Sequence, residues 1–239
     1  MIAPRARLAR YALWQARDFA LERGVPTLIV GALLLVLAVE QAGARASEDA
    51  ARAVLAGLLQ AFAPTATLLA VNGIVSGDRR HQYFRLLFSK PVSVSRYYAQ
   101  AWLVNAAGLL VCTALVLTAY AALVHPVWPP GALLFVALYF LLFGGLGLLL
   151  SAVTRFDWMA LGLLWALAQL LRTLLPADES WYGAVLNIVL PPLHVLSAMG
   201  GALVRGDAVP SSAYAWVTAY GASALLLGLV IVRRRPLAS

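Results

Sequence analysis

The chain has 239 residues, of which 62% are hydrophobic and 12% charged, with a formal net charge of +8. The charged share is about half the roughly 25% usual in soluble domains, and one water-soluble core of this length cannot hide so much apolar surface. An ordinary soluble domain is excluded, lipid becomes the natural solvent, and the positive balance marks cytoplasmic loops rather than a nucleic-acid surface.

The chain opens on a basic amphipathic segment, 1–24. Leu8, Ala12, Ala16 and Phe19 fall on one helical face and Arg10 and Arg17 on the other, which suits a helix lying in the headgroup layer. Six apolar runs follow: Val25–Val39, Ala53–Val75, Ala99–Val124, Gly131–Val153, Trp158–Leu175 and Tyr214–Val232. A spanning helix needs roughly 20 residues. The first run is short, so it borrows residues from the preceding helix or thins the bilayer locally. It ends without a small-residue cleavage pattern and is expected to stay as an uncleaved anchor. Unpaired backbone groups are too costly in lipid for anything but helices here, since no alternating barrel pattern is present. The expected fold is an all-α integral membrane protein with six transmembrane helices, forming one domain over 1–239.

Six spans put both termini on one side. With that side cytoplasmic, Lys and Arg divide 14 inside to 4 outside, as the positive-inside bias requires. The expected location is a bacterial-type plasma (inner) membrane, multi-pass, with both termini cytoplasmic. Segment 176–212 is apolar but broken at Pro191-Pro192, where proline removes a backbone donor and restricts its predecessor. It reads as a re-entrant pair of short helices dipping into the outer leaflet, with His194 just past the break.

The cytoplasmic loop between the second and third runs has a helical pattern over 77–91. Asp78, Gln82, Arg85 and Ser89 make a polar stripe, and Tyr83, Phe84, Leu87 and Phe88 an aromatic and apolar face. Asp78 can cap the start and Pro91 sets the stop. Arg79, Arg80, Arg85, Lys90 and Arg96 exceed what anchoring needs. Aromatic anchors beside Arg are the usual make-up of a protein–protein hot spot; packing of the same face on the membrane surface is equally open from pattern alone.

The stretch "GDRRHQYFRLLFSKPVSVSRYY" resembles the first cytoplasmic loop of permease subunits of type-2 ABC exporters, with its "R-x-L-F/L-x-x-P-V-S" core and following "R-Y-Y". The resemblance extends over essentially the whole chain, including "LPPLHVLSA" before the last span; where family members often carry Glu and then Gly at the loop start, this chain has Asp78 and His81. It implies that 77–91 is a coupling helix seated in a groove of a separate cytoplasmic ABC ATPase subunit. The aromatic face would fill the groove, and Arg79, Arg80 and Arg85 would meet its acidic rim. It further implies a dimer with a second permease copy or a homologous permease, and a substrate path lined by the first, second and fifth spans.

No G-x-x-x-x-G-K-[ST] phosphate loop occurs in the chain, so ATP and Mg are expected on the partner and no cofactor on this chain. His81, His125 and His194 lie on different loops without a second ligand at helical spacing, so no metal site is expected. No catalytic pattern marks an enzyme, and no buried acidic relay or inverted repeat marks a proton-driven carrier. Asn72, Asn105 and Gln169 are candidates for lining a path or bridging helices. Arg172, near the end of the fifth run, is read as snorkelling to the interface. Cys112 is read as a small packing residue. The rival reading is a non-transporting membrane scaffold or assembly factor that docks some other soluble protein on the same loop.

Overall fold

The computed structural model describes residues 4–42, 47–80, 93–154, 157–174 and 189–234, and every regular element among them is helical. Pro4–Asp18 (α1) continues through a π-helical segment, Phe19–Gly24, into Val25–Ala42 (α2). Then come Glu48–Val71 (α3), the short Ser76–Arg80 (α4), Val94–Leu123 (α5), Pro130–Val153 (α6), Asp157–Leu174 (α7), Leu193–Arg205 (α8) and Ser211–Arg234 (α9).

The sequence separates an N-terminal helix from a short first span; the structure joins them. Asp18 and Val25, which flank the π segment, both keep right-handed helical dihedrals. Pro26 gives the physical reason for the widened turn. It has no N–H to return to the carbonyl of Glu22, and its ring would crowd that carbonyl in an α-helix. Tyr11–Ala42 is thus one helix of 32 residues, long and apolar enough to cross a membrane. The expected apolar face of α1 is rotated. Phe19 is buried and Ala12 half-buried, but Ala16 is exposed and Gln15 is buried, because α1 packs on α5.

Five helices among the described residues meet the length and composition of a membrane span: Tyr11–Ala42, Glu48–Asp78, Val94–Leu123, Pro130–Val153 and Ser211–Arg234. The protein is accordingly a helical, membrane-embedded one. Large apolar side chains such as Leu33, Val111, Leu163 and Leu226 face outward, an arrangement that costs free energy in water and none in lipid. The fifth run of the sequence corresponds to α7, whose apolar part, Met159–Leu171, is shorter than a full span.

Helix α6 is the centre of the bundle. Buried residues make up 67% of its apolar window, against 22% for Tyr11–Ala42 and 28% for α9. It meets α9 backbone to backbone. A Cβ on Gly145 would collide with the Gly221 carbonyl oxygen, one on Gly221 would lie 2.7 Å from the Leu141 carbonyl oxygen, and one on Gly228 3.0 Å from Leu149 Cα. The pairing of 141 with 221 and 149 with 228 makes the two helices parallel. Chain direction therefore has to reverse between them, and the described end of that return is α8, whose Gly200 lies against Phe135 and whose Leu203 lies against Gly131 near the α6 N-terminus. Arg52 of α3 donates to the carbonyl of Arg205 at that same end (2.9 Å), while Arg233 and Arg234 finish α9 at the end that carries α4.

Replacing Gly221 by Leu should force α6 and α9 apart and cost about 1–3 kcal/mol, the range for overpacking a tight contact. Gly57, whose Cβ position meets nothing within 4 Å, supplies the control: Gly57→Ala should be neutral or gain about 0.5–1 kcal/mol. Unfolding of the purified protein in mixed micelles measures both.

Candidate functional site: a polar cleft beside the α3–α4 corner

Helix α3 ends at Asn72, whose ψ of 122° leaves the helical region while its N–H still bonds the Leu68 carbonyl (3.2 Å). Gly73 follows with φ +77°, a left-handed conformation that glycine adopts without a Cβ penalty. This turn aims the amides of Val75 and Ser76 at α6. Both donate to the buried Ser151 Oγ, at 3.2 and 2.9 Å, so that one hydroxyl uses both its lone pairs. The first turn of α4 is capped by a side chain from another helix. The loop that begins at Ser76 therefore hangs from α3 covalently and from α6 by two hydrogen bonds.

A second polar tie lies alongside. Arg23, on the π segment, donates through NH1 to Asn105 Oδ1 of α5 (2.6 Å). Asn105 is buried, and its Nδ2 donates to the Ala101 carbonyl one turn back (2.7 Å). Thr27 Oγ1 donates to the Arg23 carbonyl (2.7 Å), which lies in the turn that Pro26 disturbs. Further toward the N-terminus, Gln100 Nε2 donates to Gln15 Oε1 (3.2 Å), and the Tyr11 and Tyr97 rings meet edge to face at 5.9 Å. Arginine near a span end is usually paired or turned toward the interface; Arg23 is held by an amide.

Between these ties lies a cleft of about 480 Å³. Its walls include Trp14, Gln15, Asp18, Glu22 and Arg23 from the N-terminal helix, Asn72 and Asp78 from the corner, and Tyr97 and Asn105 from α5. Among the described residues that line it are three carboxylates, Asp18, Glu22 and Asp78, and the guanidinium of Arg23.

The residues singled out in the sequence are distributed unevenly around it. Asn72, Asp78 and Asn105 come together on the cleft wall, with Asn105 bridging two helices and Asn72 ending one. Arg79 and Arg80 complete α4. Tyr83, Phe84, Arg85, Leu87 and Phe88 lie outside the described residues. Gln169 is exposed on α7, and Arg172 sits in the last turn of that helix. Pro191 and Pro192 are buried at the start of α8, with Pro192 at its N-cap and His194 exposed on its first turn; the first part of the expected re-entrant pair, 176–188, is outside the described residues. Among the described residues no group of three His, Cys, Asp or Glu side chains could hold a metal ion. Sequence reading missed Gln15, Asp18, Glu22 and Ser151, and counted Arg23 only as a positive-inside charge. The signal for Gln15 was available: a polar residue four before Phe19 on the face that turns out to be buried.

Ser151→Ala should leave the Val75 and Ser76 amides without an acceptor, at ~1–3 kcal/mol of local stability for a buried donor left unmade. Hydrogen exchange of those two amides should speed by about tenfold or more, while the middle of α3 keeps its protection. No protein-family model matches this chain, and no curated protein matches it.

Proposed function

We propose that this chain is the membrane-spanning permease subunit of an ATP-driven ABC exporter, working as a dimer and coupled through 77–91 to a separate ATP-binding subunit. The observation that carries the reading is the double suspension of the loop's first turn. A loop that only marks the cytoplasmic face needs no anchorage to a second helix. One that transmits force does, and Ser76–Arg80 is fixed both to α3 and, through Ser151, to α6, the most buried helix. A push on this loop moves two packed helices together, the kind of rigid-body step that switches a packed interface between two arrangements.

In this proposal α7 is the sixth span. The parallel course of α6 and α9 supports that count, because the chain has to return between them, and 18 residues of α7 rise about 27 Å against a hydrocarbon core of roughly 30 Å. Helix α8, behind Pro191-Pro192, is the second limb of the re-entrant pair. Both termini then lie with the α4 loop in the cytoplasm of a bacterial-type plasma membrane. ATP and Mg belong to the partner, and this chain performs no catalysis of its own.

The deciding experiment is co-purification in mild detergent from the native host. A stoichiometric soluble ATPase is expected, and Phe84→Ala combined with Leu87→Ala should weaken its binding by about 30-fold, as loss of roughly 2 kcal/mol at a hot spot predicts. Membrane insertion should be unchanged. Arg85→Glu should lower transport-linked ATP hydrolysis. A preparation that holds no ATPase, or holds it through another surface, overturns the exporter reading in favour of a scaffold.

A further inference from the structure

Helix α3 carries an outer face that does not suit lipid. Its exposed positions between Ala51 and Val71 are Ala53, Gly57, Gln60, Ala61 and Thr65, which follow the spacing of one helical face. The other helices long enough to span all turn large apolar side chains outward, among them Leu33, Leu103, Leu134 and Leu226; α3 turns none. A Cβ at Gly57 would meet nothing within 4 Å, while α2, α5, α6 and α8 pack on the remaining sides of α3. In a membrane, a face of this composition is one that another helix backbone approaches.

An independent observation comes from Gln60, at the midpoint of the 24-residue helix. Its amide is exposed at the depth where a polar group costs most in hydrocarbon. Its bond within the chain, to the Ser197 carbonyl, is a long 3.4 Å, and most of the amide's hydrogen-bonding capacity is unused. Pro64 adds a second polar group at the same place. It has no N–H to return to the Gln60 carbonyl four residues back, so that carbonyl loses its helical donor. A carbonyl freed in this way within a membrane is satisfied by a neighbouring helix, a hydroxyl or water. Thr65 Oγ1 does not supply the bond, because it donates to the Ala61 carbonyl (3.1 Å). One residue thus carries both an amide donor and a carbonyl acceptor on the open face.

A group that is its own complement fits a second copy of the same chain. Two copies inserted with one topology are related by a two-fold axis along the membrane normal, so their α3 helices run parallel with Gln60 at equal depth. We infer that α3 packs through this face against α3 of a second copy. Ala53, Gly57, Ala61 and Thr65 give the close approach, and each Gln60 amide hydrogen-bonds to the same residue of its partner. This rests on the dimeric state proposed above, names the surface that forms it, and requires nothing of the ATPase.

Disulfide trapping in membranes tests it, in the full-length chain carrying Cys112→Ala. A disulfide needs Cα atoms within about 7 Å of each other, which close parallel packing of α3 provides. Ala61→Cys and, one turn earlier, Gly57→Cys should each give a covalent dimer on mild oxidation. Leu226→Cys, on an outward face of α9, should not. Gln60→Leu, which inserts at least as readily, should weaken dimerisation by about three- to tenfold, the range for an interhelical hydrogen bond. Energy transfer between labelled chains in lipid vesicles measures it. Chains that dimerise in vesicles while neither α3 substitution cross-links overturn the inference and leave the dimer standing. A chain that stays monomeric overturns both. Modification of Ala61→Cys by a membrane-impermeant thiosulfonate, without cross-linking, also overturns it and marks the face as the wall of an aqueous passage. Unchanged dimerisation of the Gln60→Leu chain overturns it as well.

Discussion

The contact on which the rest of the structure depends is the one between α6 and α9, where glycine lets two backbones touch. Lipid offers no hydrophobic drive for helices to associate, so close packing has to supply it. Gly145, Gly221 and Gly228 remove the side chains that would hold these helices apart. Because the two run parallel, that contact fixes more than a distance. It sets the direction of the intervening chain, brings Arg233 and Arg234 to the end that carries α4, and leaves α6 buried between α3 and α9, with Ser151 facing the α3–α4 corner.

From that frame the polar features acquire a common logic. Each lies near a helix end where regular backbone bonding fails. Asn72 and Gly73 end α3, Pro26 removes a bond from the first long helix, and the first amides of α4 have no partner within their own helix. Ser151 and Thr27 supply bonds at these places, and Asn105 receives the arginine that the widened turn presents. Asn72, Asn105, Arg23 and Asp78 gather at one corner, and the cleft is the space between them; the Glu48–Arg52 and Arg205–Asp207 ion pairs mark the other end.

Much of the fold was legible from pattern. The long apolar runs became long helices, and the sequence already showed that the first was too short to stand alone. Arg52 and Arg205, assigned to one side of the membrane, do meet at one end of the bundle. What pattern did not give was azimuth. The face of α1 was read from Leu8, Ala12, Ala16 and Phe19, a choice that assumed a flat lipid surface, whereas α5 is the surface it meets, and Ala16 turns outward. The cleft was less legible still. Asp18 and Glu22 are unremarkable among surface charges until a helix from 80 residues further along is brought against them, and Ser151 carries no local signal of the amides it accepts. Of the loop expected to dock a partner, only the anchored first turn, through Arg80, lies within the described residues.

The π-helical segment acts as a phase correction. Along the first long helix the buried positions Gln15, Phe19, Gly24, Thr27, Gly31, Leu35 and Ala38 lie three or four apart except across the π segment, where Phe19 and Gly24 are five apart, and in an α-helix a step of five overshoots a full revolution by about 140°. In an unbroken α-helix the stripe would leave its neighbour at that step. The rod nevertheless keeps to α5, from the Tyr11–Tyr97 ring contact to Gly31 against Val116. A turn that takes an extra residue absorbs that overshoot. Removing one residue there would swing Gln15 and Asp18 round by about 100°, out of register with everything they face, while leaving composition and hydropathy almost untouched.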